Sequence, residues 1–231
     1  MIVADRFVFL HLHKSGGTFA NECILRFVAG AHAIGYHLPR RMLPPVHARK
    51  PVLGLVRNPW SYYVSWYAFQ AAMTQPNPLF HILSDDRKLG FEGTIRNMLE
   101  LGNASALLKP LLASLPPAYG TTGLNLPGFA LAPIANTGQG FCSFLYRYLY
   151  DGEGAPAHIA TMERLREDLP TLLESTGYTL PADMRAFIAR EAPRNTSQHA
   201  PYQSYYGAAL RDLVAERDAE IIRLHGYKFQ D

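Results

Sequence analysis

Twice in its first seventy residues this chain runs an apolar stretch into a turn and then into a helical pattern. That repeat constrains the fold more than any other feature. Residues 6–12 (RFVFLHL) are rich in Phe, Val and Leu, as a strand buried on both faces requires. Lys14-Ser15-Gly16-Gly17 follows, and then Phe19, Cys23 and Phe27 recur every four positions, on one face of a helix from Thr18 to Val28. Gly30 offers that helix a stop. The outline returns near residue 55. Residues 52–56 (VLGLV) read as a second buried strand, Asn58 can cap a helix, and Pro59 can open it through Trp60 and Tyr67 to about Gln70. Strands alternating with helices predict an α/β fold on a parallel sheet.

The rest of the chain extends this pattern. Residues 74–138 are rich in Pro, Gly, Asn and Ala, with helical pieces near 91–101 and 104–114, and read as an insertion on the substrate side of one domain spanning 1–231. A helix is predicted over 139–150 and a short strand near 157–162. Leu165, Leu169, Leu172 and Leu173 mark another helix, which Gly177 stops. A last helix is expected from about Tyr205 to Leu224, ended by Gly226. The opening apolar run is interrupted by Asp5 and Arg6 and reads as a buried strand, not a signal peptide.

Composition narrows the function classes. A chain 48% hydrophobic and 18% charged is globular, and a net charge of +3 without a basic run does not mark a nucleic-acid binder. Cys23 and Cys142 sit far apart in apolar stretches, which suits a reducing compartment and argues against a disulfide framework or a structural zinc site. No stretch is long enough for a membrane span. The cytoplasm is the expected location.

The chemistry lies at the two turns. A helix start presents free backbone N–H groups and a partial positive charge. Gly16 and Gly17 let the chain bend so that N–H groups converge on one anion, Lys14 adds a full charge, and Ser15 and Thr18 offer hydroxyls. Lys14 precedes the glycines, the reverse of the GxxxxGK[ST] order that binds nucleoside triphosphates. At the second turn, Arg57 brings a planar fork of donors, and Ser61 and Ser65 are four apart on the following helix.

K-[ST]-G-G-T after an apolar strand resembles the 5'-phosphosulfate loop of sulfotransferases that use 3'-phosphoadenosine-5'-phosphosulfate (PAPS). Arg57 at a strand end with Ser65 eight residues later resembles their 3'-phosphate segment, with Ser61 a weaker match. Met162-Glu163-Arg164-Leu165 resembles the family's E-x-L stretch, and His225-Gly226-Tyr227-Lys228-Phe229 resembles its closing motif. The resemblance is to the carbohydrate-type branch and is weakest over 74–138; since Golgi relatives carry an anchor, it implies a bacterial cytoplasmic enzyme, or a Golgi one if the chain is a trimmed piece of a longer eukaryotic protein. It implies the three-layer sulfotransferase relative of the P-loop NTPase fold. It also implies transfer of a sulfonate from PAPS to an acceptor hydroxyl or amine, with a saccharide or other small molecule as acceptor and no metal.

In that reading Lys14 and the backbone of residues 15–18 hold the charge that builds in an in-line transfer. Arg57 and Ser65 hold the 3'-phosphate, and Arg194, in Arg194-Asn195-Thr196-Ser197, reaches back to the nucleotide. The general base is a histidine or glutamate beyond the first helix; His37 leads, with Glu22, His32 and His47 behind it. Two other classes fit parts of the pattern: a P-loop kinase or nucleotide-binding protein, and a non-catalytic module that binds PAP, the product left by PAPS.

Overall fold

The computed structural model describes residues Met1–Asn103, Ser105–Ala192 and His199–Phe229. Arg194 lies outside them. The apolar run that opens the chain is two strands, not one. Exposed Asp5 and Arg6 turn the chain back, and the Ala4 N–H donates to the Phe7 carbonyl across the turn. Two charged side chains cannot sit inside a strand buried on both faces. So β1 (Ile2–Val3) pairs antiparallel with β2 (Val8–Phe9), Ile2 opposite Phe9.

The sheet has five strands in the order β3-β1-β2-β4-β5, where β3 is His32–Ala33, β4 is Val52–Val56 and β5 is His158–Thr161. β2, β4 and β5 run parallel, as expected, but β1 is antiparallel to both its neighbours. The wholly parallel sheet is therefore corrected to a mixed one, and the hairpin at Asp5-Arg6 is the cause.

Eleven α-helices lie among the described residues: α1 (Gly17–Phe27), α2 (Pro59–Ala72), α3 (Pro78–Leu83), α4 (Phe91–Leu99), α5 (Leu108–Ser114), α6 (Gly128–Leu131), α7 (Phe141–Tyr150), α8 (Leu165–Glu174), α9 (Ala182–Arg190), α10 (Ala208–Arg217) and α11 (Ala219–His225). None is long and apolar enough to cross a membrane. The chain forms two compact units, Met1–Arg57 with Tyr146–Thr196, and Asn58–Leu145 with Ser197–Asp231.

The first unit holds the whole sheet. One face of it packs Phe7, Phe9, Leu53, Leu55 and Ala160 against Phe19, Cys23 and Ile24 of α1, Leu169 and Leu173 of α8, and Met184 and Ile188 of α9. These side chains are withdrawn almost completely from water. That burial is the main force holding α1 against the strand that precedes it. The expected α1 face at Phe19 and Cys23 is the buried one.

The second unit is built around α2, whose Tyr62, Tyr63, Val64 and Trp66 are buried. Asn58 caps this helix, accepting the N–H groups of Trp60 and Ser61, with Pro59 in its first turn. The single helix expected from about 205 to 224 is broken in two at Asp218. That side chain is fully buried, accepting the Tyr63 hydroxyl at 2.7 Å and the Ser143 N–H at 2.8 Å. Drawing it inward costs the helix its regular backbone at this residue, where φ is −106° and ψ is 22°.

Candidate functional site

The turn between β2 and α1 has an unusual backbone. Lys14 (φ 59°) and Gly16 (φ 82°) both take the left-handed conformation. For a lysine this costs on the order of 1–2 kcal/mol, strain of the kind that gathers at binding sites. Gly16 stands at the start of α1 with no side-chain cap, and the first turn carries no acidic residue.

The two glycines are needed for different reasons. Gly16 carries the positive φ, and a Cβ there would lie 2.8 Å from Leu165 Cδ2. Gly17 admits none because the His11 ring lies on it, with Cδ2 1.9 Å from where the Cβ would be. Met162 and Leu165, from the segment matched to the E-x-L stretch, thus pack over the turn. The Ser15 side chain is buried and donates to the Leu12 carbonyl. That hydroxyl closes the turn, so what Ser15 can bring to an anion is its backbone. Thr18 is exposed at the second position of α1.

Arg57 leaves the end of β4 and donates from Nη1 to the Lys14 carbonyl at 3.0 Å. The Arg57 side chain is thereby tied to the backbone of the Lys14 turn. The Lys14 amine is lowered to about 8, first by burial and then by the Arg57 charge. Two positive charges near a helix start, where backbone N–H groups are unpaired within the helix, have the chemistry that suits an anion.

His37 sits at φ 48°, four residues after β3, and is buried. Its ring stacks on His13 at 3.8 Å between centroids and meets His11 edge-on at 4.4 Å. Its Nδ1 lies 3.3 Å from the His11 carbonyl oxygen. A carbonyl can only accept, so the bonded tautomer carries its proton on Nδ1 and keeps the lone pair on Nε2. Burial, and then the neighbouring His13 and His11, hold His37 well below the usual imidazole range. His11 is pushed down to about 3, by burial and then by His13. Both rings are neutral near pH 7.

His37 is therefore brought to the strand end that leads into the Lys14 turn. His32 is exposed on β3, with Nδ1 3.0 Å from the Gly30 carbonyl oxygen. His47 and Glu22 are half-buried elsewhere in the same unit. Ser65 belongs to the second unit, buried on α2 one turn beyond half-buried Ser61. Among the described residues no group of three or more His, Cys, Asp or Glu is arranged to hold a metal ion.

The residue that sequence reasoning passed over is His13, half-buried and one position before Lys14. Its signal was present: His11 and His13 are two apart on an extended chain, so both can point to the face where His37 arrives. No protein-family model matches the chain, and no curated protein matches it either.

Proposed function

We propose that this protein is a PAPS-dependent sulfotransferase. The observation that carries the reading is the meeting of Lys14 and Arg57 at a glycine turn that opens α1: the Arg57 guanidinium donates to the Lys14 backbone carbonyl, and its charge helps to lower the Lys14 amine. A ligand with two anionic groups is matched in charge by Lys14 and Arg57, and the N–H groups of the turn add donors. The motif resemblance names that ligand as PAPS on the three-layer sulfotransferase fold, with the 5'-phosphosulfate on residues 14–18 and the 3'-phosphate on Arg57. A saccharide is the acceptor the resemblance favours.

In the reaction an acceptor oxygen forms its bond to sulfur as the bond from sulfur to the 5'-phosphate oxygen breaks. PAP leaves with the electron pair. Lys14 and the backbone N–H groups of the turn stabilise the charge on that oxygen and on the sulfonate. His37 Nε2 takes the acceptor proton. Near pH 7 the imidazole is in the neutral form that can accept a proton, and its burial beside His13 and His11 makes it a weak base that returns that proton readily.

Titration calorimetry with PAP in the presence of EDTA tests the donor, and labelled PAPS with a panel of saccharides, lipids and phenols tests the transfer. PAP binds without magnesium and ATP binds poorly if the reading holds. Tight ATP binding that depends on magnesium would favour a P-loop kinase. PAP binding with no transfer to any acceptor would favour a binding module.

A further inference from the structure

Tyr150, the last residue of α7, is buried in the first unit with its hydroxyl between the ends of β2 and β4. Before that point the two strands are joined by ordinary parallel bonds. Val8 N–H donates to the Pro51 carbonyl and Leu10 N–H to the Leu53 carbonyl, each at 2.9 Å. The next bond in that series would run from Leu12 N–H to the Leu55 carbonyl. The Tyr150 hydroxyl stands in its place. It accepts the Leu12 N–H at 3.1 Å and donates to the Leu55 carbonyl at 2.6 Å. It also accepts the Leu55 N–H at 2.9 Å. Its one donor and both acceptor sites are in use.

The ring needs a matching gap. A Cβ on Gly54 would come within 2.4 Å of Tyr150 Cε1 and 2.6 Å of Ile159 Cδ1. Leu12 is two residues before Lys14, and Leu55 is two before Arg57. The hydroxyl thus parts the strands at the last point before each leads into its turn. A crevice beyond the carboxyl ends of parallel strands is where open α/β sheets bind ligands.

We propose that Tyr150 is a positioning residue. Its hydroxyl wedges β2 and β4 apart and sets the spacing between the Lys14 turn and Arg57, so that one ligand can place a different anionic group on each. The ligand part rests on the PAPS reading; the wedge itself does not. Tyr150 touches neither the ligand nor the reacting atoms in this account and acts through Leu12 and Leu55.

Tyr150→Phe keeps the ring against Gly54 and removes only the hydroxyl. The experiment compares PAP, which carries both phosphates, with 5'-AMP, which carries one. We expect Tyr150→Phe to weaken PAP binding by about tenfold or more, equivalent to about 1.4 kcal/mol, and 5'-AMP binding much less. A merely structural role would lower the melting temperature and weaken both ligands alike, or neither, and either result overturns the proposal. Gly54→Ala keeps the hydroxyl but displaces the ring, and is expected to show the same selective loss of PAP. Wild-type protein that binds neither ligand overturns the PAPS reading instead. Amide exchange then decides the wedge. In Tyr150→Phe, exchange at Leu12 and Leu55 must change while that of the α9 amides holds; no change at those two amides sinks it.

Discussion

Two of the places where the molecule withdraws charge from water treat it in different ways. In the second unit the carboxyl of Asp218 is completely enclosed, and donors from the chain itself meet it: the Tyr63 hydroxyl and the Ser143 N–H. In the first unit Lys14 is partly buried with another cation beside it, Arg57. Asp218 is an internal anion supplied with internal partners, and it breaks a helix to reach them. Lys14 and Arg57 are drawn together although each disfavours the other's charge. An arrangement of the first kind stabilises a fold and needs nothing from outside. One of the second kind places like charges near each other, and in the proposed reading PAPS brings the opposite charge to them.

Lys14→Ala should strain that contrast hardest. In the proposed transfer it lowers turnover by roughly a hundredfold to a thousandfold, the scale for removing one donor aimed at developing charge. It weakens PAP binding less, which single-turnover kinetics and calorimetry will separate. A variant that loses PAP binding and keeps its turnover at saturating PAPS would assign Lys14 to holding the ligand only.

Asp218 gives the next largest effect, on stability. Burial raises its carboxyl from 3.8 to about 6 although its hydrogen bonds pull the other way. Between those two pH values the folded chain holds a proton that the unfolded chain has released. Stability from this group therefore falls as pH rises through that window, by up to about 3 kcal/mol. Asp218→Asn carries no titrating proton, so urea denaturation across pH 4–7 should show a flatter profile than the parent. An unchanged profile would mean that the carboxyl is better compensated than its enclosure suggests.

Arg57→Ala should weaken PAP binding by about 1.5–3 kcal/mol, the range for hydrogen bonds to charged groups, with a smaller loss of turnover at saturating PAPS. Equal losses of affinity in Lys14→Ala and Arg57→Ala would erase the division of labour between the two turns. The smallest effect is a pH dependence. The Lys14 amine is lowered to about 8, so its charge is lost as pH rises past that value and PAP affinity declines with it. Lys14→Arg stays charged, and its PAP affinity should remain level between pH 8 and 9.5.

Much of the first unit was legible because its signals are local. VLGLV is β4 at the expected residues, and the four-residue spacing of Phe19 and Cys23 gave the buried side of α1. The glycine turn between strand and helix was legible, yet the sequence could not say that Gly16 serves a backbone angle and Gly17 a histidine ring. It could not say that the Ser15 hydroxyl faces the Leu12 carbonyl either. Asp5-Arg6 looked like an interruption in one strand because a two-stranded hairpin this short leaves no alternation to read. Nothing in the sequence marks Asp218 as a break in the helix expected from about 205 to 224. Only the tertiary placement of Tyr63 and Ser143 draws it inward. Nothing in Phe-Leu-Tyr-Arg-Tyr-Leu-Tyr singles out Tyr150 from Tyr146 and Tyr148. Its role depends on where the end of α7 meets two strands more than ninety residues away in sequence.

The gap at Gly54 and the ring of Tyr150 are two halves of one fitting. That makes them a single unit of inheritance. A descendant that acquires a methyl at position 54 is penalised until position 150 gives up its ring, and one that loses the ring first leaves a hollow that a larger residue at 54 can then fill. Neither position can drift alone. In any set of chains descended from a common ancestor with this one, glycine at 54 and tyrosine at 150 should be kept or lost together, a correlation that can be read from sequences without a binding measurement.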